Sequence, residues 1–427
     1  MNHSWAKWVT KRRSALVDKN TNTSVEELQA RITELSVDTD GLKQSENVES
    51  AAQHRLNAIL DPVARLPLEL SSEIFFHCIP PRPKPGSRAA PMLLLNVCSA
   101  WSDIALSTPM LWATIHLDFP GTKILSVWLE RARHCALSIS LRKSLDDGVA
   151  AVLRQYAKQL KHFESYEQKP NVNSLTSLPC LETLTFGSPL EATSFSSLDY
   201  VSLEYILGLL RLTPKLEKCT FLSIFIKVDL GDHKKQTFPN LRVLEFGVAG
   251  LENPGGGDNI LHHITLPALE TLAVRLRDLS DSHFSLFLKR SSPPLRKLVL
   301  SGGVKGLQFI RLGEWLRLLP SLVDLEFYTV QSVFIDDLFS ALADSSPQLL
   351  PNLQSLKIYH HLPTPFSYQK LLRLLSARTQ LVCFHLKGFS GYEPRPHADV
   401  RDRLRQLVAD GIEIYIGSRT QNYISPM

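Results

Sequence analysis

The chain has 427 residues, of which 44% are hydrophobic and 21% are charged, and its formal net charge is +5. This composition excludes a disordered polar chain, which would lack the apolar residues that a folded core needs. The small net charge gives no indication of nucleic-acid binding. The length suits two or three domains or one extended repeat array. Prolines outnumber glycines, at 26 against 20, although helices and central strands tolerate few prolines.

Residues 1–61 are predicted to form a basic tail followed by a short amphipathic helix. Four basic residues precede the first acidic one, at Lys7, Lys11, Arg12 and Arg13. They indicate a solvated tail, with a nuclear or organellar address as the alternative. Apolar residues then recur at heptad spacing from Val25 to Leu42. This seam predicts either a weak homodimer through residues 25–42 or an exposed helix without a partner, because it is shorter than a typical coiled coil.

The sequence favours an intracellular protein, either cytoplasmic or nuclear or both. The longest apolar runs, such as Tyr205 to Leu210, are far too short to cross a bilayer, and the N-terminus lacks the apolar stretch of a secretory signal. The six cysteines contain no Cys-x-x-Cys pair that would indicate a metal or redox motif. We therefore expect reduced thiols, no metal and no cofactor, with neither a membrane nor a nucleic acid as partner.

Residues 62–118 contain two predicted helices separated by a proline-rich loop. Pro67 suits the first turn of a helix, and Leu70, Ile74 and Phe75 follow on one face. The loop from Pro80 to Gly86 contains four prolines and is not expected to be helical. A second helix is predicted to carry apolar residues from Leu93 to Ala105. On this pattern alone the segment is an ordinary helical core, but so small a module commonly leaves an apolar face to be covered.

Three spaced blocks stand in this segment. They are Leu66-Pro67-x-Glu69-x4-Ile74-Phe75, Val97-Cys98-Ser99-x-Trp101-x3-Ala105 and Pro109-x-Leu111-Trp112. Together they cover about 50 residues and resemble the F-box, in the form found in the large fungal F-box-like family. The resemblance implies a small helical module that docks on the Skp-type adaptor of a cullin-RING ubiquitin ligase. It implies that the adaptor-binding residues are Leu66, Pro67, Leu70, Ile74, Val97 and Trp101.

Residues 119–427 are predicted to form a repeat array. The pattern Pro-x-Leu-x-x-Leu-x-apolar occurs seven times, beginning at Pro179, Pro214, Pro239, Pro267, Pro293, Pro320 and Pro351, with one central leucine replaced by Cys219. An eighth copy has Thr379 in place of the proline. The first leucines of the copies are spaced by 35, 25, 28, 26, 27, 31 and 28 residues. Five of these seven intervals fall within the range of leucine-rich repeats, about 20 to 29 residues, and two are longer. The segment resembles a divergent leucine-rich repeat solenoid of the kind that commonly follows an F-box.

The predicted fold class is α/β, with a small N-terminal helical F-box-like module followed by a leucine-rich repeat solenoid. Each repeat would supply a short strand with inward leucines and an amphipathic helix, so that parallel strands line the concave side and helices the convex side. Each proline would mark the point where a helix ends and a strand begins. Strands at Ile115–Leu117, Leu137–Leu141 and Leu160–Phe163 are expected to begin the stack, and one at Ile412–Ile416 to cap it.

Side chains that alternate with the buried leucines are predicted to face the concave side, where a solenoid binds its target. The candidate target-binding residues are Lys218, Glu245, Arg275, Lys297, Asp324, Glu326, Tyr328, Lys357, Tyr359 and His385, together with the neighbouring Thr220 and Lys387. Mixed charges and two adjacent tyrosines are typical of a protein-binding groove. Polar residues are also expected at any solvent-facing strand position, so the pattern admits both interpretations.

Enzyme motifs fail on spacing, so we predict a protein without catalytic residues. No phosphate-binding Gly-x4-Gly-Lys motif is present, and Tyr392 stands where a nucleophile elbow needs its second glycine. The preferred hypothesis is a substrate receptor, which holds the ligase adaptor through the F-box and an unknown protein target through the repeats. The alternative is a leucine-rich repeat scaffold that has no connection with ubiquitin.

Overall fold

The computed structural model describes residues 63–86, 88–118, 121–142, 145–166, 177–187, 200–222, 225–227, 234–246, 257–275, 279–301, 309–328, 332–345, 348–360, 366–388, 395–418 and 420–424. The predicted basic tail and the predicted helix of residues 25–42 lie outside these residues. The described chain divides into two compact units. The first contains residues up to 80 and from 86 to 111, and the second contains residues 81–85 and those from Trp112 onward. The expected domain boundaries at 61/62 and 118/119 stay predictions.

The described part of the first unit contains two α-helices, α1 (Leu68–His77) and α2 (Ser99–Ser107), with 3₁₀ turns at Val63–Arg65 and Leu94–Asn96. Pro67 stands immediately before α1, where its missing N–H leaves no hydrogen bond unmade. The second predicted helix is interrupted, because Cys98 is extended with φ −158° and ψ 171°. Cys98 thereby becomes the N-cap of α2, and Leu93 to Asn96 form a separate turn rather than part of one continuous helix.

Phe75 is the centre of the first unit. Its side chain is fully buried, and its ring centroid lies 4.9 Å from that of Trp101 on α2. Two serines tie α1 to its surroundings: the hydroxyl of Ser71 donates to the Val63 carbonyl at 3.0 Å, and the hydroxyl of Ser72 lies 2.8 Å from that of Thr108. These contacts fix which side of α1 faces inward, and therefore which side faces water.

The second unit alternates strands and helices. Its helices are α3 (Thr122–Ala132), α4 (Asp147–Gln155), α5 (Leu203–Arg211), α6 (Gly257–His263), α7 (Asp281–Ser291), α8 (Phe309–Arg317), α9 (Ser332–Asp344), α10 (Tyr368–Ala377) and α11 (Ala398–Ala409). Its strands are β1 (Thr114–Leu117), β2 (Leu137–Leu141), β3 (Leu160–Ser165), β4 (Thr183–Gly187), β5 (Tyr200–Ser202), β6 (Lys218–Leu222), β7 (Phe225–Lys227), β8 (Gln236–Thr237), β9 (Val243–Phe246), β10 (Ile264–Thr265), β11 (Thr271–Arg275), β12 (Lys297–Ser301), β13 (Asp324–Tyr328), β14 (Ser355–His360), β15 (Cys383–Gly388) and β16 (Glu413–Gly417).

One parallel sheet of 12 strands organises the second unit, in the order β1-β2-β3-β4-β6-β9-β11-β12-β13-β14-β15-β16. The main-sheet strands have the same order in space as along the chain, so each connection crosses over to the adjacent position in the sheet. Because crossovers between parallel strands of one sheet are almost always right-handed, a strand order that runs in one direction is expected to keep the connecting helices on a single face of the sheet. The mixed α/β class and the strands expected at both ends of the array are confirmed. Among the described residues, no helix is long and apolar enough to cross a membrane.

The second apolar residue of every Pro-x-Leu copy lies in this sheet, and neighbouring copies are in register. The chain of paired positions is Leu184, Cys219, Leu244, Leu272, Leu298, Leu325, Leu356 and Phe384. Each of these side chains is at most 1% exposed. Burial of a leucine-sized side chain contributes roughly 1.5 to 3 kcal/mol, so this row is a main stabilising feature of the unit.

Five of the seven motif prolines, Pro179, Pro214, Pro267, Pro320 and Pro351, occupy the second position of a hydrogen-bonded β-turn. The Leu181 N–H donates to the Leu178 carbonyl at 3.2 Å across Pro179, and the Leu322 N–H donates to the Leu319 carbonyl at the same distance across Pro320. Proline is favoured at this position because its ring presets φ. These prolines therefore do more than separate helix from strand, since they shape the turns that precede their strands.

Side chains beside the turns link successive repeats. Asn240 Nδ2 donates to the Pro214 carbonyl and Asn352 Nδ2 to the Pro320 carbonyl, each at 2.9 Å. Each bond reaches the equivalent turn of the preceding repeat. Two short parallel sheets, β5 with β7 and β8 with β10, accompany the main sheet and are absent from the sequence prediction. Each strand of these pairs is only two or three residues long, which is too short for a periodic signal.

At both edges of the main sheet, the outer strand forms hydrogen bonds with residues that belong to no other strand of this sheet. At β1 the His116 N–H donates to the Pro83 carbonyl at 2.8 Å. At β16 the Asn422 side chain accepts from the Ile416 N–H and donates to the Ile414 carbonyl, both at 3.2 Å. The Tyr423 N–H also donates to the Ile416 carbonyl at 2.8 Å.

A buried arginine joins the last repeats. Arg378, which follows α10, is 1% exposed and donates to three carbonyls of the preceding repeat. The distances are 2.8 Å to Leu342, 2.5 Å to Leu349 and 3.1 Å to Leu350. Its planar guanidinium can satisfy three separately placed acceptors, which an ammonium group cannot do in the same way.

We expect Arg378→Met to lower the free energy of unfolding by about 3 kcal/mol or more, because three buried carbonyls lose charged donors. Arg378→Lys should recover only part of this loss. Chemical denaturation of the full chain provides the measurement. The matched control is Arg373→Met, whose side chain is 70% exposed and pairs with Asp344 at 2.9 Å. The control should shift stability by at most about 0.5 kcal/mol, and equal effects of the two substitutions would contradict the assignment.

Candidate protein-binding surfaces

Exposed apolar side chains are concentrated in the first unit. Among the described residues, 15 large hydrophobic side chains are exposed, and nine of them lie between residues 66 and 110. These nine are Leu66, Leu68, Leu70, Ile74, Phe76, Leu93, Val97, Leu106 and Met110, with exposed fractions from 38% to 59%. So many in a segment this short make this segment a candidate binding surface.

Four of the six predicted adaptor-binding residues belong to this group. Leu66, Leu70 and Ile74 are spaced by four residues, so the last two lie on the same side of α1 and Leu66 lies just before its start. Val97 is exposed at the entry to α2. These positions are exposed because Ser71 and Phe75 occupy the inward side of α1.

The other two predicted adaptor-binding residues differ in burial. Pro67 is exposed, as its place before α1 requires, whereas Trp101 is only half exposed. The Trp101 ring packs on Phe75, so part of it belongs to the interior of the unit. A substitution at Trp101 would therefore affect both stability and binding. Substitutions at the exposed Leu66, Leu70 and Ile74 test binding with little effect on stability.

The candidate target-binding residues lie on the face of the main sheet opposite the buried leucines, which we call the open face. Strand pairing arranges them in rows across neighbouring strands. The row that contains Glu245, Glu326, Lys357 and His385 runs through successive register partners of β9 to β15. The row beside it contains Lys218, Lys297 and Asp324. The predicted side chains therefore share a face, although Arg275 and Glu326 are themselves buried.

Four of these residues form one ionic cluster on β12, β13 and β14. Lys297 Nζ lies 2.8 Å from Glu326 and 3.3 Å from Asp324. Lys357 Nζ lies 3.0 Å from Glu326 and 3.7 Å from Asp324. Each ammonium thus contacts both carboxylates. These four charged residues, which the sequence predicts to bind a target, are therefore paired with one another within the sheet.

Glu326 is the centre of this ionic cluster, with a side chain only 9% exposed. Burial alone would raise its pKa, but hydrogen bonds from Lys297 and Lys357 outweigh burial and hold the pKa below its ordinary value. The carboxylate therefore stays ionised at neutral pH. Because Lys297 on β12 and Lys357 on β14 both contact Glu326 on β13, this buried carboxylate fixes the relative positions of the three strands.

Two stacked tyrosines adjoin the ionic cluster. The rings of Tyr328 and Tyr359 are register partners on β13 and β14, 4.4 Å apart and inclined by 11°. Tyr328 Oη donates to Glu326 at 3.4 Å. Burial and the neighbouring Glu326 carboxylate raise the pKa of Tyr328, so its hydroxyl remains protonated. A rigid aromatic pair beside matched charges is an arrangement that binding surfaces favour.

The remaining candidates are dispersed along the sheet. Lys218 lies 3.6 Å from Glu245, and Thr220 donates to the same carboxylate at 2.9 Å. His385 Nε2 lies 2.8 Å from Glu413 on β16. Lys218, Glu245 and His385 therefore pair with open-face neighbours, and the ten candidates form separate groups rather than one site.

A polar network at the other end of the sheet was missed by the sequence prediction. Its members His116, Ser140 and Glu164 are register partners on β1, β2 and β3. His116 Nδ1 lies 2.9 Å from Ser140 Oγ, whose hydroxyl donates to Glu164 at 2.9 Å. His116 Nε2 lies 3.1 Å from Asp118. Polar residues at equivalent positions of three adjacent strands were the signal that could have found it.

The chemistry of this network differs from that of a hydrolase triad. In a triad the histidine accepts the serine proton, but here the hydroxyl hydrogen of Ser140 points to Glu164. His116 must then supply the hydrogen for its bond to Ser140. Burial lowers the pKa of His116, with the Asp118 carboxylate acting in the opposite direction. The network joins the first three strands, and its bond directions do not prepare Ser140 as a nucleophile.

Comparison with known proteins adds no family. No protein-family model matches the chain, and no curated protein matches it. Solved structures give 28 matching chains. One is a Bacteroides fragilis protein from a structural genomics consortium, 16% identical, with a TM-score of 0.38 over 62% of this chain and 78% of that chain. A TM-score this low does not establish a shared fold.

The ionic cluster predicts an acid-sensitive contribution to stability. Because the pKa of Glu326 is lower in the folded chain than in the unfolded chain, the contribution is present above about pH 4.3 and is lost as pH falls through the folded value. Glu326→Gln should lower stability by about 1 to 3 kcal/mol at pH 7, since two lysines lose their shared carboxylate.

Denaturation of both proteins between pH 7 and pH 3 provides the measurement, and the variant should lose less stability than the native chain over this range. The control is Glu204→Gln, whose half-exposed side chain pairs with Arg211 at 2.8 Å and should behave like the native chain. Parallel stability curves for Glu326→Gln and the native chain would show that Glu326 does not act as described.

Proposed function

We propose that the chain is the substrate receptor of a Skp-cullin-RING ubiquitin ligase. In this role the first unit is an F-box module that binds the Skp-type adaptor, and the second unit is a leucine-rich repeat solenoid that binds a protein target. The receptor carries out no chemistry, because partner subunits transfer the ubiquitin. It raises the concentration of the target beside the ubiquitin-loaded enzyme.

The observation that carries the proposal is the exposure of the motif leucines and isoleucine in the first unit. Leu66, Leu70 and Ile74 lie in the F-box-like block and are 39%, 53% and 42% exposed. A helix of this size normally turns such residues inward, as α1 does with Phe75. Residues that are both part of the motif and exposed are suited to cover an apolar surface on the adaptor.

The repeat solenoid is supported by the register of the main sheet. Eight copies of one motif place equivalent residues in a single buried row, with a helix or another connection between consecutive strands. This is the arrangement in which no repeat buries its apolar side without a neighbour. The open face then supplies the target-binding surface, with the stacked Tyr328 and Tyr359 as its most rigid aromatic feature.

The ionic cluster limits the contribution of charge to target binding at the open face. Lys297, Lys357, Asp324 and Glu326 neutralise one another, so charge alone is a weak attraction at this part of the face. Tyrosines bury a large area at small cost in conformational entropy. We therefore place the energetic centre of target binding at the two tyrosines, with the ionic cluster as their support.

Adaptor binding is tested with the purified full chain and a purified Skp-type adaptor in isothermal titration calorimetry. We expect the native chain to bind. Leu70→Glu should weaken binding at least tenfold, because a carboxylate would be buried without a partner, and Leu66→Ala with Pro67→Ala should abolish it. Since these positions are exposed, the midpoint of thermal unfolding should stay within a few degrees of the native value.

The matched control is Leu286→Glu, which changes a leucine that is 51% exposed on α7 of the second unit. This variant should bind the adaptor like the native chain. If the native chain does not bind the adaptor, the receptor proposal fails and a repeat scaffold without a link to ubiquitin takes its place. If Leu286→Glu weakens binding as much as Leu70→Glu, the adaptor face has been assigned to the wrong unit.

A further inference from the structure

The last two strands of the main sheet bring a thiol, an imidazole and a carboxylate together on the open face. Cys383 and His385 are two residues apart on β15, so their side chains point to the same side. Glu413 on β16 is the register partner of Cys383. One ligand atom from each of the three residues lies within 4.8 Å of the other two, and His385 Nε2 is 2.8 Å from Glu413 Oε1.

These three donors match the ligand preferences of Zn²⁺. Zinc binds thiolate sulfur, imidazole nitrogen and carboxylate oxygen, at about 2.0 to 2.3 Å in tetrahedral geometry. Ligand atoms at such distances from one ion are about 3.3 to 3.7 Å apart. The three ligand atoms here lie within 4.8 Å of one another, so the side chains would rotate to reach that spacing. Magnesium and calcium prefer oxygen ligands alone, so the thiol and the imidazole favour zinc over these ions.

A cation would bind among the three ligand atoms, which lie within 4.8 Å of one another. Binding would displace the proton of the Cys383 thiol, because zinc is ligated by the thiolate. Lys357 is the neighbouring cation that would oppose the ion, but its ammonium is already held by Glu326 at 3.0 Å.

We propose that Cys383, His385 and Glu413 form a zinc-binding site whose fourth coordination position faces solvent on the open face. The site is independent of adaptor binding, because all three ligands belong to the last two strands of the second unit. Since β16 is an outer strand of the main sheet, a bound ion would also fasten this strand to β15. Metal binding should therefore stabilise the folded chain.

Cobalt titration of the chelator-treated full chain tests the site, since tetrahedral Co²⁺ replaces Zn²⁺ and reports its ligands by absorption. We expect one equivalent of Co²⁺ to give visible d–d bands together with a thiolate charge-transfer band in the near ultraviolet. Zinc added afterwards should remove both signals. Cys383→Ser should abolish the charge-transfer band, and His385→Gln should weaken cobalt binding at least tenfold.

The matched control is Cys180→Ser, which removes another half-buried thiol and should leave the titration unchanged. Thermal unfolding with and without zinc gives a second readout, in which the native chain gains stability and the two ligand variants do not. Circular dichroism shows that each variant is folded before it is titrated. The proposal is overturned if the native chain gives no charge-transfer band, or if Cys383→Ser retains it.

Discussion

The structure of the second unit depends on one constraint: a single strand together with its helix cannot bury its own leucines. Leu298, Leu325 and Leu356 are fully buried only because strands on both sides, and the helices that follow them, cover them. The parallel backbone hydrogen bonds then set the register, and the register decides which polar side chains meet on the open face. The position of every candidate target-binding residue is therefore a consequence of how the leucines are buried.

This dependence explains why the sheet was predictable from the sequence. The spacing between the two leucine positions is the same in each copy, so the pattern identified the main-sheet strands β4, β6, β9 and β11 to β15 and also their alignment. Prolines marked the turns, because a fixed φ suits the second turn position. The interruption at Cys98 escaped prediction, since apolar residues continue through it at helical spacing while the backbone itself is extended. The short strands β5, β7, β8 and β10 had too few residues to produce a period.

The candidate surfaces were predictable in part. The alternation of side chains along a strand predicted that Asp324, Glu326 and Lys357 lie on one face. The pairing of their charges depends on distances between neighbouring strands, which the sequence of a single strand does not determine. The exposure of Leu70 and Ile74 followed from a family resemblance, whereas hydrophobicity alone would place both residues inside. Among the described residues of the first unit, the interior includes Phe75, Leu94, Cys98, Ala105 and Leu111, while Leu70 and Ile74 lie on the outer side of α1.

The two ends of the main sheet have a consequence for how the protein behaves at high concentration. An outer strand with unpaired backbone groups is a template on which another chain can add a strand and begin to aggregate. Pro83 accepts a hydrogen bond from β1 but has no N–H with which to continue a ladder. At β16 the side chain of Asn422 occupies the same backbone groups that an incoming strand would need. At both edges of this long parallel sheet, some of the backbone groups that an added strand would need are therefore already hydrogen-bonded.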